Sequence, residues 1–199
     1  VLDDLVQTKK NWLISNNLFY LIILQTPKNL SKPFSLSHQE KINWMKRLLT
    51  KAKLVGESGE VPVAAIILDN KGRCIGYGEN RRETKKDPLG HAELVALRQA
   101  SSIKSDWRFN ECTLIVNLEP CPMCAGALIQ ARMGRVVFGS DDPKRGALGG
   151  TINLAEHKSS HHKMIIEGGI LEEESRKIIK DWFKDKRINA KENLLSKFR

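Results

Sequence analysis

Residues 113–138 have the sequence TLIVNLEPCPMCAGALIQARMGRVVF, in which two short apolar runs flank a longer segment. The runs at 113–116 and 135–138 are typical of buried strands. The segment between them predicts a helix over about 122–133, preceded by a short loop. A strand, a helix and a second strand in this order indicate an α/β sandwich with a partly parallel sheet.

The rest of the chain continues this alternation of strands and helices. Ser37 and Glu40 match a capping box, and apolar residues follow at helical spacing, so a first helix is predicted to run to about residue 55. Other periodic or apolar segments predict a hairpin of strands at 61–68 and 74–77, a helix at 91–103, a last strand at 164–166 and a helix at 172–190.

Length and composition indicate one catalytic domain with its own apolar core. Of the 199 residues, 41% are hydrophobic and 28% are charged, which is close to the globular average. We expect this domain to span 37–190, with an N-terminal extension at 1–36 outside the fold and a C-terminal tail at 191–199. The apolar run at 18–24 is shorter than the ~20 residues that cross a bilayer, so we expect no membrane association.

The chain carries a formal net charge of +10 at neutral pH. Such a charge suits a polyanionic partner, because lysine and arginine that neutralise phosphates release counterions and gain affinity independent of sequence. Many basic proteins bind no nucleic acid, so the charge by itself leaves an RNA or DNA partner undecided.

The four cysteines are Cys74, Cys112, Cys121 and Cys124, and only the last two have a metal-ligand spacing. Cys74 and Cys112 lie in or beside apolar strand runs, so we expect both to be buried structural thiols. Thiolates that bind zinc must not be oxidised to disulfides. The sequence therefore predicts a reducing compartment, the cytoplasm.

Two short motifs supply the chemistry, His91-Ala92-Glu93 and Pro120-Cys121-Pro122-Met123-Cys124. One histidine and two cysteines form an open zinc set, because a catalytic zinc site keeps its fourth position for water. Both motifs fall where helices are predicted to begin. A helix N-terminus favours thiolate over thiol, and the spacing of the cysteines places both on one side of its first turn.

Glu93 is predicted to be the proton carrier rather than a ligand. Zinc lowers the pKa of its bound water toward neutrality, and a nearby carboxylate can take that proton and deliver it to a leaving amine. In mid-helix, His91 and Glu93 would diverge, so this role requires the helix to begin near His91. The pattern is the general signature of zinc nucleobase deaminases, whose glutamate does not bind the metal.

At these motifs the chain resembles the bacterial-type tRNA-specific adenosine deaminases of the cytidine deaminase-like superfamily. The resemblance covers about residues 38–190 and includes Val61-Pro62-Val63, the loop after Asn80, and Asp142 with Lys144 and Gly146-Ala147. It implies a three-layer α/β/α sandwich with a mixed, mostly parallel sheet of about five strands. It also implies a homodimer with one Zn²⁺ per subunit, and hydrolytic conversion of the wobble adenosine of a tRNA anticodon stem-loop to inosine.

The same resemblance implies roles for further residues. Asn80 would contact the flipped nucleoside, and Asp142 would contact the ribose of the target or of its neighbour. The backbone N–H of Glu93 and groups near Leu118 would contact the edge of the base.

Basic residues outside the two motifs are candidates for RNA contacts. Lys144 and Arg145 lie close to the motifs in sequence and are candidate contacts to phosphates. His157, His161 and His162 either line an anticodon pocket, through stacking or phosphate contact, or belong to a solvated loop.

The last predicted helix carries two neighbouring aromatic residues, Trp182 and Phe183. We expect both to be core anchors rather than platforms on which bases stack. Lys184, Lys186 and Arg187 beside them form a charged run, which either contacts tRNA phosphates or, as is usual for such a run, is a solvated face.

Two other functions fit the same motifs. One is a free nucleobase or nucleoside deaminase, acting on guanine, cytosine or cytidine, and turnover without RNA would identify it. The other is a zinc-stabilised RNA-binding module without turnover. Glu93 argues against this module, because a purely structural zinc site gains nothing from that carboxylate.

Overall fold

A computed structural model describes residue 33 and residues 35–196 of the chain, with side chains placed as far as residue 192. Nearly all of the extension predicted at 1–36 lies outside the described residues. Leu36, which precedes the first helix, is buried in the core.

In the described part of the chain, five strands form one sheet. They are β1 (Ala64–Leu68), β2 (Cys74–Glu79), β3 (Thr113–Leu118), β4 (Arg135–Ser140) and β5 (Ile165–Glu167). Their order across the sheet is β2-β1-β3-β4-β5. β1 is antiparallel to both neighbours, whereas β3, β4 and β5 are mutually parallel. Every strand except β1 therefore runs in one direction, which confirms the mixed, mostly parallel sheet.

The helices of the described residues surround this sheet. They are α1 (His38–Glu57), α2 (Arg82–Lys85), α3 (Ala92–Lys104), α4 (Pro122–Gln130) and α5 (Glu172–Ser196). The capping box predicted for α1 is present, because Ser37 and Glu40 each bond the backbone N–H of the other. None of these helices combines the length and the apolar character needed to cross a bilayer.

The core lies on both faces of the sheet. Along β1, Ala64, Ile66 and Leu68 face one apolar cluster, which includes α1, whereas Ala65 and Ile67 face the other, which includes α3 and α4. This alternation is the period-two pattern of a strand buried on both sides. α5 packs beside α1 and against β4. The arrangement confirms the three-layer α/β/α sandwich.

Several boundaries differ from those predicted. α4 ends at Gln130, and Arg132 then adopts a left-handed backbone with φ of 54°, which turns the chain before β4. α2 is a single turn inside what the sequence indicated only as a polar loop. α5 continues past residue 190 to Ser196, since residues 191–196 contain no glycine or proline that would end the helix.

The expected burial of Cys74 was wrong, whereas Cys112 is buried as expected. Cys74 is the first residue of β2, an edge strand, and directly follows the turn of the hairpin, so no helix covers its side chain. Burial raises the pKa of the Cys112 thiol to about 12, which keeps it protonated at neutral pH.

Gly78 on β2 allows α3 to pack closely against the sheet. A Cβ atom at this position would lie 2.0 Å from the backbone oxygen of Ala92, at the start of α3. We expect Gly78→Ala to destabilise the protein by about 1–3 kcal/mol, because the added methyl group must displace helix backbone. Urea-induced unfolding at equilibrium measures this change.

Gly126→Ala in α4 is the matched control for that substitution. A Cβ atom at Gly126 meets no other atom within 4 Å, so we expect alanine to stabilise the helix by about 0.5–1 kcal/mol. If the two variants unfolded at the same urea concentration, the close approach of β2 and α3 would not limit stability.

Candidate active site

The first motif lies at the N-terminus of α3. His91 is the N-cap residue, with φ of −77° and ψ of 144°, and the helix begins at Ala92. Because the backbone of His91 is extended while Glu93 is helical, both side chains face the same cavity. α3 therefore begins next to His91, as the predicted role of Glu93 in proton transfer requires.

The second motif lies at the N-terminus of α4. Cys121 is the N-cap residue and Pro122 occupies the first helical turn, where its missing N–H costs nothing. Cys124 follows in the same turn and is buried. β3 leads into this motif, so the carboxyl end of the central strand brings both cysteines to the N-terminus of α3.

His91, Cys121 and Cys124 form one cluster of donor atoms, as the two motifs predicted. The Nδ1 atom of His91 lies 3.6 Å from the Sγ atom of Cys121 and 3.5 Å from that of Cys124. All three donor atoms lie within 4.8 Å of one another, so they can hold a metal ion together.

The three donor side chains of this cluster shift one another's pKa values. A hydrogen bond with Cys124 lowers the pKa of Cys121 to about 3, and the same contact raises the pKa of Cys124 above its usual range. A hydrogen bond with Cys121 raises the pKa of His91. The cluster therefore holds a thiolate beside a proton donor at a helix N-terminus, an environment that stabilises the deprotonated sulfur.

Glu93 lies beside the donor cluster and is only 5% exposed. Burial raises the pKa of its carboxyl group, because the charged form loses its hydration. A buried carboxyl next to a metal-ligand cluster, and open to a cavity, is placed to exchange protons with a molecule in that cavity.

A cavity of about 950 Å³ opens over this cluster. The structure brings eight of the nine residues predicted for catalysis, metal binding and substrate binding to the cavity wall. The eight are Asn80, His91, Glu93, Leu118, Cys121, Asp142, Lys144 and Arg145, and the ninth, Cys124, is buried beside them. This volume is ample for one nucleoside and is within the usual size of a ligand pocket.

Asn80 is buried in the cavity wall and is held there by Glu60, which the sequence did not single out. The Nδ2 atom of Asn80 donates to Glu60 Oε2 at 3.2 Å, and the backbone N–H of Thr84 donates to Glu60 Oε1 at 2.7 Å. Glu60 is only 2% exposed. Its position directly before the Val61-Pro62-Val63 segment was the signal available in the sequence.

Asp142 lies in a turn at the cavity mouth. Its Oδ1 atom accepts the backbone N–H groups of Lys144 at 2.9 Å and of Arg145 at 3.1 Å. This bonding organises the turn and leaves the side chains of Lys144 and Arg145 exposed.

The structure separates other candidates from the cavity. His157, His161 and His162 do not line it, and Nε2 of His162 bonds to the backbone oxygen of Met133, near the opposite end of β4. His157 and His161 are exposed, as expected of a solvated loop.

The two aromatic residues of α5 have different environments. Trp182 is an anchor as expected, since its Nε1 atom donates to the backbone oxygen of Gly56 at 3.1 Å. The expectation for Phe183 was wrong, because its side chain is 42% exposed and lines the cavity. Adjacent helical residues point in different directions, and only one of this pair can face α1.

Comparison with known proteins places the chain in a family. A model of the MafB19-like deaminase family matches residues 39–187. A tRNA-specific adenosine deaminase of Bacillus subtilis (strain 168) is 38% identical over 148 residues, which are 74% of this chain and 91% of that protein.

A further relative and a solved structure are also similar to this chain. A tRNA(Ile)-lysidine synthase of Deinococcus deserti is 43% identical over 130 residues, which cover 64% of this chain but only 24% of that longer protein. A solved structure from work on A-to-I editing by tRNA:A34 deaminases at the wobble position of transfer RNA has a TM-score of 0.66 and 34% sequence identity, covering 68% of this chain and 98% of that one. The chain therefore belongs to the family of bacterial-type tRNA-specific adenosine deaminases, within the cytidine deaminase-like superfamily.

Proposed function

We propose that this protein hydrolyses the exocyclic amine of adenosine at the wobble position of a tRNA anticodon. Water replaces the amine, which leaves as ammonia, and the product is inosine. The observation that carries this proposal is the opening of one cavity onto both the metal-ligand cluster and Glu93. The relationship to tRNA-specific adenosine deaminases supports adenosine, rather than a free base, as the substrate.

The donor cluster fits a zinc ion. Zinc–sulfur bonds of about 2.3 Å and zinc–nitrogen bonds of about 2.0 Å in a tetrahedron separate sulfur and nitrogen ligands by roughly 3.5 Å. The distances from His91 Nδ1 to Cys121 Sγ and to Cys124 Sγ are 3.6 and 3.5 Å. Zinc held by His91, Cys121 and Cys124 would supply a Lewis acid, which eases the ionisation of water at neutral pH.

Glu93 performs the proton transfers of the reaction. Its carboxylate accepts a proton from the attacking water and later donates it to the amine, which must be protonated before it leaves as ammonia. Glu93 lies in the first turn of α3, where backbone N–H groups have no partner within the helix, and its N–H contacts the edge of the base together with groups near Leu118.

Asn80 and Asp142 hold the nucleoside. Because Nδ2 of Asn80 donates to Glu60, the Oδ1 atom is oriented to accept a hydrogen bond from the nucleoside. Asp142 uses Oδ1 within its own turn, so its other carboxylate oxygen contacts the ribose.

An anticodon loop suits the shape of the site. The target base must leave its stack to reach Glu93, and bases of an anticodon loop are already unpaired, so extrusion costs less than from a duplex. The buried acids Glu60 and Glu93 line the cavity, while the exposed Lys144 and Arg145 lie at its mouth. The charge distribution therefore favours phosphates at the entrance.

Turnover of matched substrates tests the proposed function. Purified protein is incubated with a synthetic anticodon stem-loop that has adenosine at the wobble position, and separately with guanine, cytosine and cytidine. We expect inosine from the stem-loop and no product from the free compounds. Product from a free compound alone would identify a nucleobase or nucleoside deaminase, and stem-loop binding without inosine would identify a binding module.

Lys144 and Arg145 are expected to contribute much of the salt dependence of RNA binding. Among the described residues neither forms an ion pair, so both are available to phosphates. In a Lys144→Glu/Arg145→Glu variant, we expect weaker binding and a salt slope reduced by about 0.7–0.9 for each phosphate that the protein no longer neutralises. Fluorescence anisotropy of a labelled stem-loop at several salt concentrations measures both effects.

A charge reversal outside the cavity wall is the control. Lys51 is an exposed residue of α1 and does not line the cavity, so Lys51→Glu changes the charge of the protein at another surface. It should leave the salt slope nearly unchanged. If the double variant bound as tightly as the wild type at every salt concentration, its two basic residues would not contact the RNA.

We propose a homodimer with one zinc ion per subunit, a catalytic domain at 37–190 and a cytoplasmic location. The family model matched at 39–187 supports the domain, and the thiol ligands, which need reducing surroundings, support the location. Light scattering and elemental analysis of the purified protein test the dimer and the zinc content.

A further inference from the structure

Glu119 is a buried carboxylate directly after β3, and its side chain is surrounded by one loop. It is 2% exposed and lines the same cavity as Glu93. Its backbone N–H continues the pairing with β4 by donating to the oxygen of Ser140 at 2.9 Å. This bonding fixes the position of Glu119 between the central strand and the loop that follows β4.

Both carboxylate oxygens of Glu119 accept backbone N–H groups from residues 142–150, named here the cap loop. Oε2 accepts from Asp142 at 3.0 Å, and Oε1 accepts from Leu148 at 2.8 Å and from Gly150 at 2.9 Å. Within the described residues Glu119 has no cationic partner, so these N–H groups compensate the buried charge.

Two glycines let the cap loop close on this carboxylate. A Cβ atom would lie 2.0 Å from Glu119 Oε2 if placed on Gly146, and 2.3 Å from the same atom if placed on Gly150. The backbone oxygen of Asp142 also accepts from Gly146 at 2.8 Å, which tightens the turn that presents Lys144 and Arg145. The loop is thus built around a single side chain.

An amide cannot replace this carboxylate without loss. Glutamine offers one acceptor oxygen and one NH₂ group, so at least one backbone N–H of the cap loop would face another donor. Since both oxygens of Glu119 are already engaged with protein, the side chain is not free to transfer protons to a substrate.

We propose that Glu119 is a positioning residue, which fixes the cap loop so that Asp142, Lys144 and Arg145 meet the RNA. This inference rests on the proposed function. It assigns Glu119 to substrate binding, so its loss raises KM for the stem-loop and leaves the chemical step and the metal site intact.

The test combines kinetics on the stem-loop with hydrogen–deuterium exchange of the full chain. In Glu119→Gln, KM is expected to rise by roughly 10-fold to 100-fold, as for loss of a hydrogen bond to a charged group, while kcat stays within about threefold. Exchange of the cap-loop amides should accelerate, and the metal content should match that of the wild type.

A second variant disturbs the cap loop while it keeps the carboxylate of Glu119. Gly150→Ala directs a methyl group at Oε2 of Glu119 and should raise KM in the same way. Glu167→Gln is the matched control, since it breaks a partly buried ion pair with Lys41 at 2.7 Å but lies outside the cavity wall. It should leave KM and cap-loop exchange unchanged.

The outcomes separate this inference from the proposed function. No inosine from the wild type would contradict the proposed function, and amide exchange would still decide whether Glu119 orders the cap loop. With an active wild type, unchanged KM in both variants would overturn the inference. A fall in kcat alone, or loss of metal from Glu119→Gln, would also overturn it, because Glu119 would then act on the chemical step or on Cys121.

Discussion

Replacing Glu93 with glutamine is expected to lower kcat on the anticodon stem-loop by about 10²–10⁴-fold. Glutamine matches the size of the side chain, which is 5% exposed, but it cannot accept a proton from water or donate one to the amine. KM should change little, because the proposed contacts with the base and the ribose come from the backbone of this residue, which glutamine keeps, and from other residues. Single-turnover measurements of inosine at saturating enzyme concentrations separate the chemical step from binding.

The metal content of the Glu93→Gln variant decides how the result is interpreted. We expect it to equal that of the wild type, because the ligand cluster is formed by other residues. Glu111→Gln is the matched control, since it removes a partly exposed carboxylate paired with Lys104 at 3.0 Å, outside the cavity wall. Unchanged kcat in Glu93→Gln, or a fall that follows metal loss, would exclude Glu93 as the proton carrier.

The layers of the fold could be predicted because the apolar residues within each segment indicate whether that segment is a buried strand or a helix. The 113–138 stretch alternates two apolar strands with a helix, and this order alone requires a sheet covered by helices. The antiparallel pairing of β1 with β3 could not be predicted from the sequence of either segment. It depends on contacts between segments distant in sequence, which periodicity does not report.

The metal-ligand cluster could be predicted because its chemistry needs particular side chains at helix starts. The histidine and the two cysteines are rare residue types at a fixed spacing, so the sequence alone identifies them as candidate metal ligands. Glu60 and Glu119 could not be identified in this way, because acidic residues are common and usually exposed. Only the structure shows that both are buried and that backbone N–H groups surround their carboxylates.

The exposure of Phe183 is a further feature that the sequence could not predict. A helical pattern predicts which residues can share a face, but the position of the neighbouring elements decides which face is covered. Trp182 donates to Gly56 at the end of α1, whereas Phe183 stays exposed, although both residues line the cavity. The sequence pattern alone could not distinguish the anchored residue from the exposed one.

Removing one metal ligand is expected to abolish both the zinc content and the activity. In Cys124→Ala the cluster keeps only His91 and Cys121, and two ligands cannot hold a catalytic zinc ion against solvent. Disturbing groups that merely orient zinc ligands already costs roughly 10–100-fold in affinity or activity, so loss of a ligand should exceed that range. Elemental analysis and inosine formation, measured on the same preparation, test this expectation.

The Cys124→Ala experiment has two controls, the Cys74→Ser variant and the return of zinc to chelator-treated wild-type protein. Cys74 is an exposed thiol outside the cavity wall, so its replacement should preserve both zinc and turnover. Wild-type protein treated with a chelator should lose activity and regain it when zinc is added, whereas Cys124→Ala should regain none. Chelator-treated wild type that stayed fully active without zinc would contradict the metal-dependent reaction, because the water would then lack its Lewis acid.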